Sequence, residues 1–220
     1  MPLNIAIDGP VGAGKSSIAS LVAQELRILH LDTGAMYRAV GLYMLRRGVD
    51  PQDEAAVSAA LPGCRVDVRY EDGSQRTLLC GEDVTGMIRT PEVSQAASAI
   101  SKWPDVRSEM VGMQRRIAAG CDLIMDGRDI GTNVLPDAAL KVFLTADPRE
   151  RARRRYEELR QKGMPDTLEE VLAALTARDE QDTRREANPL RQAEDAVLLD
   201  TTHMTIQEAV DAIVRLARRA

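Results

Sequence analysis

The segment Gly9-Pro10-Val11-Gly12-Ala13-Gly14-Lys15-Ser16 constrains this chain more than any other, because it satisfies G-x-x-x-x-G-K-[ST] and because of what flanks it. Leu3-Asn4-Ile5-Ala6-Ile7 is an apolar run that stops at Asp8-Gly9-Pro10, as a buried strand does on entering a turn. On the other side Ile18, Leu21, Val22 and Leu26 recur at helical spacing. Strand, loop and helix in register predict a phosphate-binding loop. Its glycines let successive backbone N–H groups curl around an anion, and the helix N-terminus adds positive potential. Lys15 then reaches the β and γ phosphates and Ser16 ligates Mg²⁺. Gly9, Pro10, Val11, Gly12, Ala13, Gly14, Lys15, Ser16 and Ser17 are the expected nucleotide contacts. The plainer alternative, a glycine-rich turn with a chance lysine, leaves the three registered elements unexplained. The loop by itself leaves GTPases, ATPase motors and small-molecule kinases open.

The rest of the chain repeats the alternation. Ile28-Leu29-His30-Leu31 reads as a second strand ending at Asp32, with a helical stretch following to Arg47-Gly48. Leu123-Ile124-Met125 is a third, ending at Asp126-Gly127-Arg128-Asp129, Leu140-Lys141-Val142-Phe143-Leu144 a fourth, and Val197-Leu198-Leu199 a fifth. Helical patterns run from Pro91 to Ala119 and from Asp147-Pro148, an N-cap with proline at the first position. Thr167 with Glu170, and Thr205 with Glu208, read as capping boxes, the latter opening a helix with a stripe of Ile206, Val210, Ile213, Val214 and Leu216. The order predicts a three-layer α/β fold of the P-loop NTPase type, with a central five-stranded parallel sheet covered on both faces. Residues 49–90 read differently. Pro51, Pro62 and several glycines interrupt them, and Val66-Asp67-Val68 with Thr77-Leu78-Leu79 flank Asp72-Gly73 like a hairpin, so this stretch is expected to be an inserted subdomain.

Composition narrows the partners. With 220 residues, 44% hydrophobic and 29% charged, one domain can bury a substantial core. One Trp, one Phe and four Tyr give few stacking platforms, and a net charge of -5 also argues against a nucleic acid polymer as partner. Cys64, Cys80 and Cys121 are odd in number with no CxxC, and only two histidines accompany them, so neither a disulfide framework nor a zinc site is expected. The start MPLNIAIDG lacks a basic n-region and no apolar run is long enough to span a membrane, so a cytoplasmic protein without membrane contact is expected.

Three clusters bear on the acceptor of the phosphoryl group. Asp32-Thr33-Gly34-Ala35-Met36-Tyr37-Arg38 places a hydroxyl, a phenol and a guanidinium within two helical turns, which suits a phosphate and equally an ordinary N-cap region. Asp126-Gly127-Arg128-Asp129 ends a strand, and parallel sheets bind ligands there. Arg149, Arg151, Arg153, Arg154, Arg155, Arg160 and Lys162 face only Glu150, Glu157 and Glu158 on one helical segment, an excess of positive charge suited to a lid. Each arginine alone also reads as a solvated helix face, and Arg151 and Arg155 are the two singled out for the transferred group. Arg178-Asp179-Glu180-Gln181-Asp182-Thr183-Arg184-Arg185 alternates charge and reads by itself as an exposed helix face with i, i+4 pairing.

Taken together, GPVGAGKS, LDTGAMYR, GEDVTGMIRTPEVS, DGRDIGT, the arginine-rich segment and ARDEQDTRR resemble the bacterial cytidylate kinase family over essentially the whole chain. The resemblance implies a monomeric single-domain kinase with core 1–48, 91–147 and 167–220, a nucleoside-monophosphate-binding insertion at about 49–90 and a short helical lid at about 148–166. It implies ATP as donor and CMP or dCMP as acceptor; by motif position Ser16 ligates Mg²⁺ and Asp126 orders a Mg²⁺-bound water at the metal site. Ser98, Arg107 and Asp129 would bond the cytosine, Arg178 and Asp182 the ribose and its neighbourhood, and Arg38, Arg128 and Arg185 the acceptor phosphate, with Thr33 and Tyr37 lining the pocket. Thr33 stands where serine is expected in many relatives, and Ser16-Ser17 replaces a pair ending in Thr; the hydroxyls are retained.

The expected reaction is an in-line transfer in which Lys15, Arg128, Arg185 and lid arginines Arg151 and Arg155 neutralise the transition state, with no general base because the acceptor phosphate is already anionic. Another small P-loop kinase, for UMP or for a metabolite such as shikimate, remains a rival, as does a non-catalytic nucleotide switch. Guanine-reading switches carry an NKxD-type segment that this sequence lacks, and a switch would have no use for the cluster from Arg178 to Arg185.

Overall fold

The computed structural model describes residues 2–161 and 163–220. Strand β1 (Asn4–Asp8) buries Ile5, Ala6 and Ile7, and helix α1 (Lys15–Leu26) follows the glycine loop with Ile18, Ala19, Val22 and Ala23 buried. Both belong to one compact unit, Leu3–Ile28 with Asp122–Ala220, here termed the loop unit. The other unit is Leu29–Cys121 with Pro2, termed the hairpin unit.

The hairpin unit opens on β2 (Leu29–Asp32), and the Asp32 carboxylate accepts from Ala35 N at 2.9 Å to cap helix α2 (Thr33–Arg46). After α2 the backbone turns at Gly48, φ 67°, where Val49 N bonds Met44 O at 3.0 Å. Helix α3 (Glu54–Ala60) leads to strands β3 (Val66–Glu71), β4 (Ser74–Leu79) and β5 (Glu82–Asp83). The β3–β4 register runs from Val66↔Leu79 to Glu71↔Ser74, and Asp72 and Gly73 both take positive φ (51° and 74°), the geometry that matches a two-residue turn to strand twist. The expected hairpin is therefore present. Helices α4 (Pro91–Ile100) and α5 (Pro104–Gly120) divide the single helical stretch read from the sequence, because Pro104 drives Trp103 out of helical conformation (ψ 128°). Gly41 lets α2 approach α4: a Cβ there would sit 2.9 Å from Ala97 N.

In the loop unit the chain resumes with β6 (Leu123–Gly127), a π turn at Ile130–Val134 and β7 (Leu140–Thr145). Helices α6 (Pro148–Gln161) and α7 (Leu168–Arg184), strand β8 (Val197–Asp200) and helix α8 (Ile206–Ala217) complete it. Here β6-β1-β7-β8 lie side by side, all parallel; among the described residues the larger sheet has five strands, the fifth being β2. This is the expected α/β class. Ile18, Val22, Val210, Ile213 and Val214 of α1 and α8 pack with Ile5, Ile7, Ile124, Val142 and Leu144 of the strands. Both capping boxes form as expected, and Asp147 Oδ1 accepts from Arg149 N and Glu150 N to start α6. Ala152 and Leu159 of α6 meet Val171 and Leu175 of α7.

Two positions at the end of β1 set the loop. A Cβ at Gly9 (φ 150°) would lie 1.9 Å from Leu144 O, inside β7. Asp8, 5% exposed, accepts from Ile130 N at 2.8 Å and Gly131 N at 2.7 Å, tying β1 to the π turn. Burial outweighs those two bonds and pushes the Asp8 carboxyl up to about 6. Gly9→Ala is expected to cost on the order of 3 kcal/mol or more, against about 1 kcal/mol for Gly48→Ala, where nothing lies within 4 Å of the added carbon; urea denaturation compares them. The folded Asp8 pKa exceeds the ordinary 3.8, so its favourable contribution is full below pH 4 and is lost as pH rises through about 6. Asp8→Asn removes that dependence. Relative to the variant, the native chain should lose on the order of 3 kcal/mol between pH 4 and pH 7, read from urea midpoints at the two pH values.

Candidate active site

The phosphate loop leaves β1 and delivers the chain to α1 without a side-chain cap: Gly14, at φ 86°, occupies the cap position and bonds nothing through a side chain. The first N–H groups of α1 are thus free of a capping oxygen, the arrangement that receives an anion. Gly9, Gly12 and Gly14 all take positive φ, while Ala13 is fully buried and Ser17 exposed. Lys15 is 6% exposed and its Nζ donates to Pro10 O at 2.7 Å across the loop. Burial first, and Arg128 second, bring the Lys15 ammonium down to about 7, against the opposing pull of Asp126, Asp182 and Asp8.

The parallel register Ile7↔Asp126 sets the end of β6 beside the end of β1. Asp126 is buried there, and Ser16 Oγ donates to its Oδ2 at 2.7 Å. The two residues expected at Mg²⁺ are therefore in contact. They offer a hydroxyl and a carboxylate, the hard oxygen donors that a phosphate-borne Mg²⁺ needs from a protein; no denser cluster of His, Cys, Asp or Glu occurs among the described residues.

Helix α7 closes the set. Arg128 Nε donates to Asp182 Oδ2 at 2.6 Å and its Nη1 to Gly127 O at 3.3 Å. Burial works against the charge on both partners. Asp182 nonetheless holds Arg128 above its usual range, and Arg128, with Arg178 and Arg185, holds Asp182 below its own. Arg185 Nη2 donates to Asp129 Oδ1 at 2.9 Å with both side chains almost fully buried, and Asn133 Nδ2 donates to Asp129 Oδ2 at 3.0 Å.

Two expected lid arginines have different surroundings. Arg155 pairs with Glu158 on its own helix and is 39% exposed. Arg151 is 5% exposed: Nε donates to Ala146 O, and Nη1 to Val11 O at 2.8 Å and Asp179 Oδ2 at 2.6 Å. Its guanidinium is turned to the loop backbone.

The remaining expected residues belong to the hairpin unit. Thr33 and Tyr37 lie in the first two turns of α2, Thr33 buried. Arg38 Nη2 donates to Asp32 Oδ2 at 2.9 Å while its Nε is buried without a hydrogen-bond partner. Ser98 sits on α4, and Arg107, 4% exposed on α5, donates to Ser101 O at 3.3 Å. Sequence reasoning missed Asp8 and Asp179 as structural ligands of this region, and it missed Gln75 and Arg89. Gln75 brackets the Asp32 backbone, its Oε1 accepting from Asp32 N at 2.8 Å and its Nε2 donating to Asp32 O at 3.3 Å, and Arg89 reaches Asp32 Oδ2 at 3.4 Å. The only advance sign was that three predicted strands end in aspartate.

Comparison with known proteins gives the family. The sequence model of the family described as Cytidylate kinase matches residues 5–219. The cytidylate kinase of Caldicellulosiruptor bescii is 49% identical over 97% of this chain and 95% of its own length, and that of Halalkalibacterium halodurans 48% identical over 96% of each. Among solved structures, an uncharacterized protein from Eubacterium ventriosum aligns over all of both chains with a TM-score of 0.58 at 13% identity. A shikimate kinase from Bacteroides thetaiotaomicron aligns over 98% of each with a TM-score of 0.50 at 14% identity; these two speak to fold alone. With a family match over nearly the whole chain and relatives near half identical, the chain belongs to the cytidylate kinase family.

Proposed function

We propose that the protein transfers the γ-phosphoryl group of ATP to CMP or dCMP, giving CDP or dCDP and ADP. The observation that carries this reading is the set of charged groups drawn out of water beside the phosphate loop: buried Lys15 and Asp126, with the ion pairs Arg128–Asp182 and Arg185–Asp129. Lys15 and the bare N-terminus of α1 bind the donor phosphates. Ser16 and Asp126 hold Mg²⁺, which supplies charge neutralisation on the phosphates. Arg128 and Arg185, anchored by Asp182 and Asp129, offer guanidinium charge to the acceptor phosphate, and Arg38 adds a buried Nε that lacks a partner in its own surroundings. Gly9, Pro10, Val11, Gly12, Ala13, Gly14 and Ser17 complete the donor loop, with Arg155 at the lid, Arg178 at the ribose, and Thr33 and Tyr37 in the acceptor pocket. Residues 49–90 serve as the acceptor-side insertion and 148–166 as the lid, in a monomer that works in the cytoplasm.

Cytosine pairs an exocyclic amine with acceptors at N3 and O2. Asp129, buried and held by Arg185 and Asn133, is the carboxylate that accepts from the amine, while Ser98 and Arg107 donate to the acceptors. Uracil would set a carbonyl against that carboxylate. A coupled ADP-release assay across CMP, dCMP, UMP and AMP is expected to give kcat/KM for UMP roughly 10- to 100-fold below that for CMP. Preferred turnover of UMP or AMP would refute the cytosine assignment, and no turnover with any acceptor would favour the nucleotide switch. Lys15→Met is expected to lower kcat on the order of 10³-fold with unfolding unchanged or shifted upward, since it removes a buried charge; a fully active variant would sink the phosphoryl-transfer scheme.

A further inference from the structure

Val11 sits at the outer bend of the phosphate loop, and both of its backbone polar groups are taken by side chains from helices more than a hundred residues away in sequence. Its N–H donates to Asp179 Oδ1 at 3.1 Å, and its carbonyl accepts from Arg151 Nη1 at 2.8 Å. Arg151 Nη1 also donates to Asp179 Oδ2 at 2.6 Å, so the two side chains and the peptide close a ring of three hydrogen bonds. Arg151 Nε, bonded to Ala146 O at 3.0 Å, fixes the plane of the guanidinium from behind. Around this ring the Val11 side chain packs on Ala152, Leu159, Val171 and Leu175, and a Cβ at Gly12 would meet Arg151 Cβ and Leu175 Cδ1 at 3.5 Å.

Electrostatics gives the pairing a direction. A carboxylate against a loop that must hold polyphosphate would repel the ligand, and a lone buried guanidinium would compete with Lys15 for it. Paired at 2.6 Å the two are locally neutral, so they fix the loop's shape without adding to its charge. We propose that Arg151 and Asp179 are positioning residues of the phosphate-donor site, clamping the Val11 peptide from α6 and α7 so that the loop keeps the curvature in which its N–H groups converge on phosphate. Arg151 then acts through Val11 and not on the transferred phosphoryl group. The inference rests on the reading of the loop as the ATP site.

Three variants test it. Arg151→Met with Asp179→Leu replaces the buried pair by apolar groups of similar size, which commonly preserves a fold. Asp179→Asn keeps the shape and one acceptor oxygen but loses the ion pair, and Arg151→Lys keeps the charge without the planar fork that reaches three acceptors. Equilibrium titration with ADP, together with KM and kcat for ATP and CMP, is expected to show ADP affinity weakened about tenfold or more and kcat lowered up to about 100-fold in the double variant. KM for CMP should stay within about twofold, and Asp179→Asn and Arg151→Lys should fall between the extremes. Native ADP affinity and kcat in a folded double variant would overturn the clamp. So would parallel losses for ADP and CMP that track the loss of thermal stability, the signature of a purely structural pair. If the double variant does not fold, Asp179→Asn decides by the same two criteria. Failure of the native enzyme to phosphorylate CMP would overturn the acceptor assignment and leave the ADP comparison standing.

Discussion

The ion pair between Arg128 and Asp182, at 2.6 Å and largely out of water, is the interaction on which the rest of the loop unit's chemistry depends. A site for polyphosphate has to hold cations away from solvent before the ligand arrives, and each such cation needs a carboxylate or it will not stay charged. Arg128 has Asp182, and Arg185 has Asp129. Among the described residues Lys15 is left with only a backbone oxygen at hydrogen-bonding distance, and burial first and the neighbouring Arg128 guanidinium second bring its ammonium down to about 7. The cation that is least satisfied is thus the one at the phosphate loop. A polyanion placed against it would offset the cost of burial and the repulsion, so binding energy would go to a group prepared to receive it.

One face of α7 organises this arrangement. Asp179, Asp182 and Arg185 recur every three residues, and successive members reach the Val11 peptide, Arg128 and Asp129. A single rigid helix therefore sets the loop, the end of β6 and the start of the π turn relative to one another. Asp8 does the same from the sheet side, with two backbone bonds into that turn. Breaking one member leaves a charge buried without its partner, which typically costs about 3–5 kcal/mol, so rigidity of the site and stability of the unit share the same bonds.

What could be read in the sequence divides along the range of the forces involved. The loop motif, both capping boxes, the Asp72-Gly73 hairpin and the five strands are set by neighbours within a few residues, and all appear as expected. The break before Pro104 is also a local effect, but the helical pattern on either side concealed it. The charged stretch from Arg178 to Arg185 misled for the opposite reason. Its alternation fits an exposed face with i, i+4 pairs, yet Asp182 is buried because its partner is Arg128, fifty-four residues earlier. Arg151 looked like its neighbours Arg153 and Arg155 in sequence; only the packing of α6 on α7 distinguishes the buried member from the exposed ones. Asp8 showed only as a strand-ending aspartate, since the two amides that hold it lie more than a hundred residues onward.

The hairpin unit follows the same logic at smaller scale. Asp32 caps α2 through Ala35 N, pairs with Arg38 and Arg89 through its other oxygen, and has its own peptide groups bracketed by Gln75 from β4. One carboxylate thereby fixes the start of the helix that carries Thr33, Tyr37 and Arg38, and the hairpin holds that carboxylate in place. Yet it satisfies Arg38 only in part: Nη2 is bonded and Nε is buried without a partner. A buried donor left unpaired costs about 1–3 kcal/mol, a cost a purely structural arginine would have no reason to carry. An anionic oxygen placed against Nε would repay it, and that is the chemistry a phosphate-bearing acceptor brings.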